Sequence, residues 1–410
     1  MKGRKVRILL EVISVIVIVA LTFTLLNRHQ STSSSVSSTT TTQIANSTTS
    51  TTAGNTNPSN LSVPFNGRIV SVLDFGADPT GKTDSRLAIL AALRSAEQKP
   101  GSELYFPPGT FNVSTLTTHE GEFVVTVPIR IVGSGVNSTT ILDAVGQVSG
   151  FSSPPPLFLI KGSGTSLPGK ASGTVVEGFT INCAKYQTGT AIIDFADNTE
   201  IQNLVVYAPS SSKQYNPDQF GIRVIAICNR NNYQTVYRSG NVVKNVTIVG
   251  SGSAGNTELD ISCQKNSSVS NVSINGNGLD VYFSQNVSLS NLNLVGGSGS
   301  QSGQFTWVVV GSHNINLANV VTSGEGGVIT QAAQSTSTNI TVTNEIMKDK
   351  SKEFFIGDVN GIRVVDSQLG KVVFGPLVQS SDITFVNTSY LGAKCPNSEH
   401  VQQLAGVTCK

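Results

Sequence analysis

From Asn198 to Asn387 apolar and polar residues alternate in short runs, and each run is set off by one small box. The box is a polar residue, usually Asn, an aliphatic or aromatic residue three places on, and Asn two places later. Its copies are Asn198/Ile201/Asn203, Asn266/Val269/Asn271, Asn286/Leu289/Asn291, Asn314/Leu317/Asn319, Asn339/Val342/Asn344 and Asp382/Phe385/Asn387. Alternating runs such as Leu279-Asp280-Val281-Tyr282-Phe283 precede a box, and runs such as Asn291-Leu292-Asn293-Leu294 follow it. Period two sends successive side chains to opposite faces of a strand. Asn271 and Asn291 lie 20 residues apart, Asn319 and Asn344 lie 25 apart, and Asn344 and Asn387 lie 43 apart, about two repeats. A looser copy at Asn241/Asn245 and an acid at Asp366 fill two gaps. Repeats of roughly 20 to 50 residues mark a solenoid, in which each unit buries its apolar face by stacking on its neighbours. No helical spacing of ten residues separates the strands, which excludes a βαβ layout. The pattern predicts an all-β parallel β-helix. Its Asn residues sit at corners, where Asn tolerates left-handed backbone and its amide reaches the Asn of the next coil.

Composition adds the surroundings of that domain. Charged residues make up 13% of the chain, and the net charge of +2 comes from the N-terminus: without Lys2, Arg4, Lys5, Arg7, Arg28 and Glu11, 22 basic residues face 24 acidic ones. Nothing there predicts nucleic acid as a partner. Behind the basic stub, Ile8 to Leu26 is almost wholly apolar. Nineteen residues at about 1.5 Å each span a hydrocarbon core of roughly 30 Å. Leu25-Leu26-Asn27 offers no small-residue cleavage site. Residues 1–30 are therefore expected to be a cytoplasmic stub and transmembrane anchor, with the rest at the cell surface, or secreted if the segment is cleaved. Residues 31–62 form a Ser/Thr-rich stalk, residues 63–394 the β-helix, and residues 395–410 a tail. Ten Asn-x-Ser/Thr sequons occur, including Asn46, Asn112, Asn245 and Asn387, although corner Asn followed by alternating Ser or Thr writes that triplet by itself. Cys395 and Cys409 bracket the tail as the expected disulfide. Cys183, Cys228 and Cys263 stand beside apolar runs as expected core thiols, with no spacing for zinc.

Gly76-Ala77-Asp78-Pro79-Thr80-Gly81-Lys82-Thr83 matches a phosphate-loop pattern between a strand, Ile69 to Phe75, and a helix, Asp84 to Ala96, whose Leu87, Leu90, Ala91 and Arg94 have helical spacing. Further strand and helix alternation does not follow, and no nucleotide is expected. The same stretch resembles the entry segment of pectate-lyase-superfamily β-helix proteins, of polygalacturonase, rhamnogalacturonase or epimerase type. The resemblance rests on Val72-Leu73-Asp74-Phe75-Gly76-Ala77, Thr80-Gly81-Lys82-Thr83-Asp84, Leu87 to Ala96, and Leu104-Tyr105-Phe106-Pro107-Pro108-Gly109-Thr110-Phe111. It implies a right-handed parallel β-helix whose first coil is closed by the one helix, and an acidic or neutral polysaccharide as partner, with a uronate-containing one among the options.

Counting back eleven residues from Asn271 and Asn291 puts Asp260 over Asp280, outward between inward aliphatic residues. Glu258, two residues earlier, would lie diagonal to Asp280 at about 8 Å, within the roughly 6.5–9.5 Å of inverting glycosidases. Glu258, Asp260 and Asp280 are thus the candidate catalytic acids. Tyr282 is the candidate sugar platform, and Arg223 and Arg363, each in Gly-Ile-Arg-Val, are candidate substrate-binding residues. Compared with polygalacturonases, Asn256-Thr257-Glu258 replaces Asn-Thr-Asp, Asp280 stands where a pair of Asp is expected, and Gly296-Gly297-Ser298-Gly299 carries no His; His313 reads as a turn residue. A hydrolase needs no cofactor. A lyase or epimerase would let Asp260 and Asp280 share Ca²⁺ with an Arg as base. A noncatalytic glycan-binding, adhesion or spike-like module fits the same surface, with the acids as solvated positions. Trp307 is expected in the core, and Pro209 to Gln219 as a loop beside the face.

Overall fold

The computed structural model describes residues 65–405, less 115–121, 145–155, 163–169, 184–189, 209–219, 226–235, 251–256, 297–304, 332–334, 376–380 and 395–403. The expected membrane span and stalk, Cys228, the Cys395/Cys409 pair and the loop from Pro209 to Gln219 lie outside the described residues. Among the described residues no helix is long and apolar enough to cross a membrane.

The strands form a parallel β-helix, and among the described residues they lie in sheets of 18 and 11 strands. One uninterrupted coil shows how the sequence makes it. Ser268–Gly276 belongs to the larger sheet and Leu279–Tyr282 to the smaller. Inside Ser268–Gly276 the pairing steps over the corner residue: Ser270 pairs with Ser290 and Val272 with Leu292, while Asn271 has φ 54°. The larger sheet is therefore creased along a line of corner residues, and each coil has three sides. Val269, Val272, Ile274, Leu279 and Val281 point inward and are at most 2% exposed. Each such burial contributes about 1.5–3 kcal/mol.

Every box residue has the backbone its position requires. The first and last residues of all six boxes, together with Asp366, have φ between 48° and 60°. Their amides form two ladders: Asn291 Nδ2 donates to Asn271 Oδ1 and Asn319 Nδ2 to Asn291 Oδ1, both at 2.9 Å, while Asn286 reaches Asn266 at 3.0 Å and Asn314 reaches Asn286 at 2.9 Å. The looser copy is corrected by one residue. Gly240, φ 72°, holds the corner five places before Asn245, whereas Asn241 is buried and donates to Ala196 O and Gln264 Oε1. Gly361, φ 70°, does the same before Asp366. Glycine enters the left-handed region without the Cβ clash that other residues meet.

A second stack lies inside. Gln264 N donates to Ser284 Oγ at 3.0 Å, Ser284 N to Ser312 Oγ at 3.1 Å, and Ser312 N to Ser337 Oγ at 3.3 Å. Each of these buried serines satisfies a backbone N–H that the corner geometry would otherwise leave unpaired. Trp307, in the core as expected, donates its indole N–H to Glu345 Oε1 at 3.1 Å. Glu345 stands inward in the position that Val320 and Leu292 occupy in earlier coils, and burial pushes its carboxyl up to about 8. Cys263 is buried but disulfide-bonded, which corrects the expectation of a core thiol.

The helix runs Arg86–Ala96 and buries Ile89, Ala92, Leu93 and Ala96. The face anticipated from Leu87, Leu90, Ala91 and Arg94 is the outer one, and Leu87 is 72% exposed. Thr80–Asp84 is a strand paired with Gly109–Val113, and Asp78 accepts the backbone N–H groups of Thr80 and Thr83. The amides that would cradle a phosphate are thus turned onto a carboxylate of the same loop.

Candidate active site

The smaller sheet carries the candidate face. Leu259 and Ile261 are drawn inward, so Asp260 between them faces out, and strand pairing aligns Ile193, Arg223, Asp260, Asp280, Val308, Val328 and Phe355 in one outward column. Neighbouring members of a column lie about 4.8 Å apart. In the column beside it, Ser262 pairs with Tyr282, which pairs with Val310.

Arg223 and Asp260 form an ion pair, Nε to Oδ2 at 3.0 Å, and Ser262 Oγ donates to Asp260 Oδ1. Asp280 is half-buried and accepts the Thr257 hydroxyl at 2.7 Å. Burial pushes its carboxyl up to about 7, the charge of Asp260 adds to that, and the Thr257 hydrogen bond opposes it. Two neighbouring carboxyls thus have different partners, one on a guanidinium and one on a hydroxyl. That asymmetry suits an acid beside a charged carboxylate.

Asp260 is itself only 4% exposed and Asp280 is half-buried, and Glu258 does not join them. It is 2% exposed, and its Oε2 accepts the backbone N–H of Gly278 at 2.7 Å and that of Asn277. The carboxylate lies over Gly250 and Gly276, where a Cβ would meet its Oε1 at 1.9 and 2.3 Å. Glu258 therefore fastens the turn of the next coil, and burial pushes it up to about 7. The diagonal 8 Å pair anticipated from strand geometry is replaced by Asp260 and Asp280 in adjacent coils. Arg363 is exposed on the larger sheet, paired with Thr341 and Thr384, and is not brought to this face. Tyr282 stands beside Asp280 with its ring 6.4 Å from that of Phe283. His313 bonds Thr338 Oγ1 at 2.7 Å beside the corner at Asn314. A shared Ca²⁺ fits these residues poorly, because both oxygens of Asp260 are engaged and no described group of three or more acids, His or Cys has metal-holding geometry.

Sequence reasoning missed Thr257 and Ser262 as partners of the acids, although both lie on the same strand, Thr257–Ser262. Ser262 shares the parity of Asp260, which was the available signal for it, whereas Thr257 has the parity of Leu259 and Ile261 and alternation gave no signal for it.

Comparison with known proteins agrees with this architecture. A 72-residue stretch is 38% identical to alginate lyase 7 of Azotobacter vinelandii, and a 58-residue stretch is 41% identical to alpha-1,3-galactosidase A of Peterkaempfera griseoplana. These stretches are 17% and 14% of this chain and span 8% of each relative. The endo-xylogalacturonan hydrolase of Aspergillus tubingensis superposes over 83% of this chain and 99% of its own, with TM-score 0.53 at 13% identity. Tailspike protein 3 of bacteriophage CBA120 superposes over 82% of this chain and 55% of its own, with TM-score 0.51 at 10% identity. Identities that low speak to the fold alone. The family match covers residues 69–282, from the first strand through the acid column to Tyr282, and the chain belongs to the rhamnogalacturonase A/epimerase, pectate lyase-like family.

Proposed function

We propose that this protein is a polysaccharide-cleaving glycoside hydrolase that works on the outer face of its smaller sheet. Asp280 donates a proton to the glycosidic oxygen as its bond to the sugar carbon breaks, and Asp260, facing Arg223, takes a proton from the water that attacks that carbon. Tyr282 stacks on a neighbouring ring. The observation that carries this reading is the pairing of Asp260 with Asp280 in adjacent coils, one on Arg223 and one on the Thr257 hydroxyl, where burial pushes the Asp280 carboxyl up to about 7. Family membership supports a polysaccharide as substrate. The apolar segment from Ile8 to Leu26 supports a position at the cell surface, which fractionation and protease shaving of intact cells would test.

The test is release of reducing ends from a polysaccharide panel by the full chain, against Asp280→Asn. Loss of a single general acid lowers the rate by about 10²–10⁴-fold. Products with a new near-ultraviolet absorbance would replace hydrolysis by elimination. Glycan retention with no product from any polymer would leave a binding module in place of an enzyme.

A further inference from the structure

The coils on the C-terminal side of the acid pair carry a charge pattern that constrains the substrate. Residues 266–347, 82 in a row, contain no Lys and no Arg, and their acids are Asp280, Glu325 and Glu345. Glu345 is buried in the core, and Glu325 is held by Lys352 at 2.8 Å. Over these coils the column continues from Asp280 into Val308 and the buried Val328, with Tyr282 beside it, and reaches Phe355 in the next coil, whose Lys352 is the partner of Glu325. Phe355 meets Phe305 with ring centroids 6.5 Å apart. On the other side of the pair the column offers Arg223, whose Nε is on Asp260.

A uronate lying over this stretch would give up water around its carboxylate and find no cation from residues 266–347. Burial of an unpaired charge is strongly unfavourable. A neutral sugar has the opposite balance, because the C–H face of its ring is apolar and packs on Val, Phe and Tyr side chains while its hydroxyls stay at the rim.

We propose that the polymer bound across the coils from Leu279 to Thr330 is a neutral polysaccharide, and that Val308 and Phe355 select it against polyuronates. This rests on the hydrolase reading for the location of the groove but not for its chemistry. The experiment is affinity gel electrophoresis of full-length Asp280→Asn, which leaves polymers intact, in galactan, arabinoxylan, xyloglucan, polygalacturonate or alginate. The expected result is retention by a neutral polymer at least about tenfold stronger than by either polyuronate, unchanged between about 0.05 and 0.5 M salt because no ion pairs form. Val308→Arg in the same background should weaken neutral retention severalfold and strengthen polygalacturonate retention at low salt. Phe355→Ala should weaken neutral retention without helping the polyuronate. Stronger retention by polygalacturonate or alginate overturns the proposal, as does the absence of neutral retention, or indifference of both polymers to folded Val308→Arg and Phe355→Ala. Neutral retention without released reducing ends in the wild type would remove the hydrolase reading and leave this one standing.

Discussion

Replacing Glu345 by Gln should flatten the pH dependence of stability in the middle of the solenoid. Glu345 is fully buried, its carboxyl accepts from the Trp307 indole, and burial moves it from 4.5 to about 8, opposed by the Trp307 hydrogen bond and then by Lys350. The folded value lies above the unfolded one, so the contribution of the neutral acid is complete below pH 4.5 and is lost as pH rises through about 8. At 1.36 kcal/mol per pH interval, about 3 kcal/mol is gone by pH 7 and about 5 kcal/mol by pH 9. Gln keeps the carbonyl that accepts from Trp307, and its amide can turn toward Thr322, whose buried hydroxyl faces the same interior one coil earlier. Urea titrations from pH 4 to pH 9, followed by fluorescence of the single Trp, read the coil concerned. Other acids raised by burial, such as Asp194 and Glu258, titrate in both proteins, so the difference between the two curves isolates Glu345. Wild type and Glu345→Gln falling in parallel from pH 5 to pH 9 would refute the reasoning.

Three further outcomes are expected. Hydrolysis should decline as pH rises through about 7, because Asp280 must be protonated to act; Arg223→Met should move that decline to higher pH by removing a positive charge that opposes protonation, and a pH–rate profile reads both. Glu258→Ala leaves the N–H groups of Asn277 and Gly278 without their acceptor and should cost about 2–4 kcal/mol in denaturant titrations, since each unmet buried donor costs about 1–3 kcal/mol. Asn291→Val loses two ladder bonds and forces a β-branched residue to φ 55°, so it should cost about 2 kcal/mol more than Asn291→Gly, which loses the same bonds without the strain.

The fold was legible because one residue type served one backbone conformation. Asn at i and i+5 wrote the two corners of each coil, and counting between corners was enough to place Asp260 over Asp280. The count slipped at Gly240, where glycine holds the corner and the nearby Asn241 resembles a box residue while serving an interior network. The helix was legible in extent but not in orientation. Its aliphatic residues are spread around the axis, so spacing alone did not choose Ile89, Ala92, Leu93 and Ala96 over the exposed Leu87. At the candidate site, parity told which residues share a face but not where a long side chain ends. Glu258 has the parity of Asp260, yet its extra methylene lets it bend over two glycines to backbone N–H groups. Arg223 could not be assigned to Asp260 by counting, because 37 residues separate them where the coil from Asp260 to Asp280 takes 20.

The Asn ladders also have an electrical direction. In the rungs from Asn203 to Asn344 the amide of the later coil donates to the carbonyl of the earlier one. Aligned side-chain dipoles therefore add along the axis, with their positive ends toward the first coil, as peptide dipoles add along a helix. Asp366 ends that run: it accepts from Asn387 at 3.1 Å, but its side chain has no amide N–H to offer Asn344. The column is thus insulated between the coils of Asn344 and Asp366, and changing that one acid to Asn would join its two segments into a single dipole.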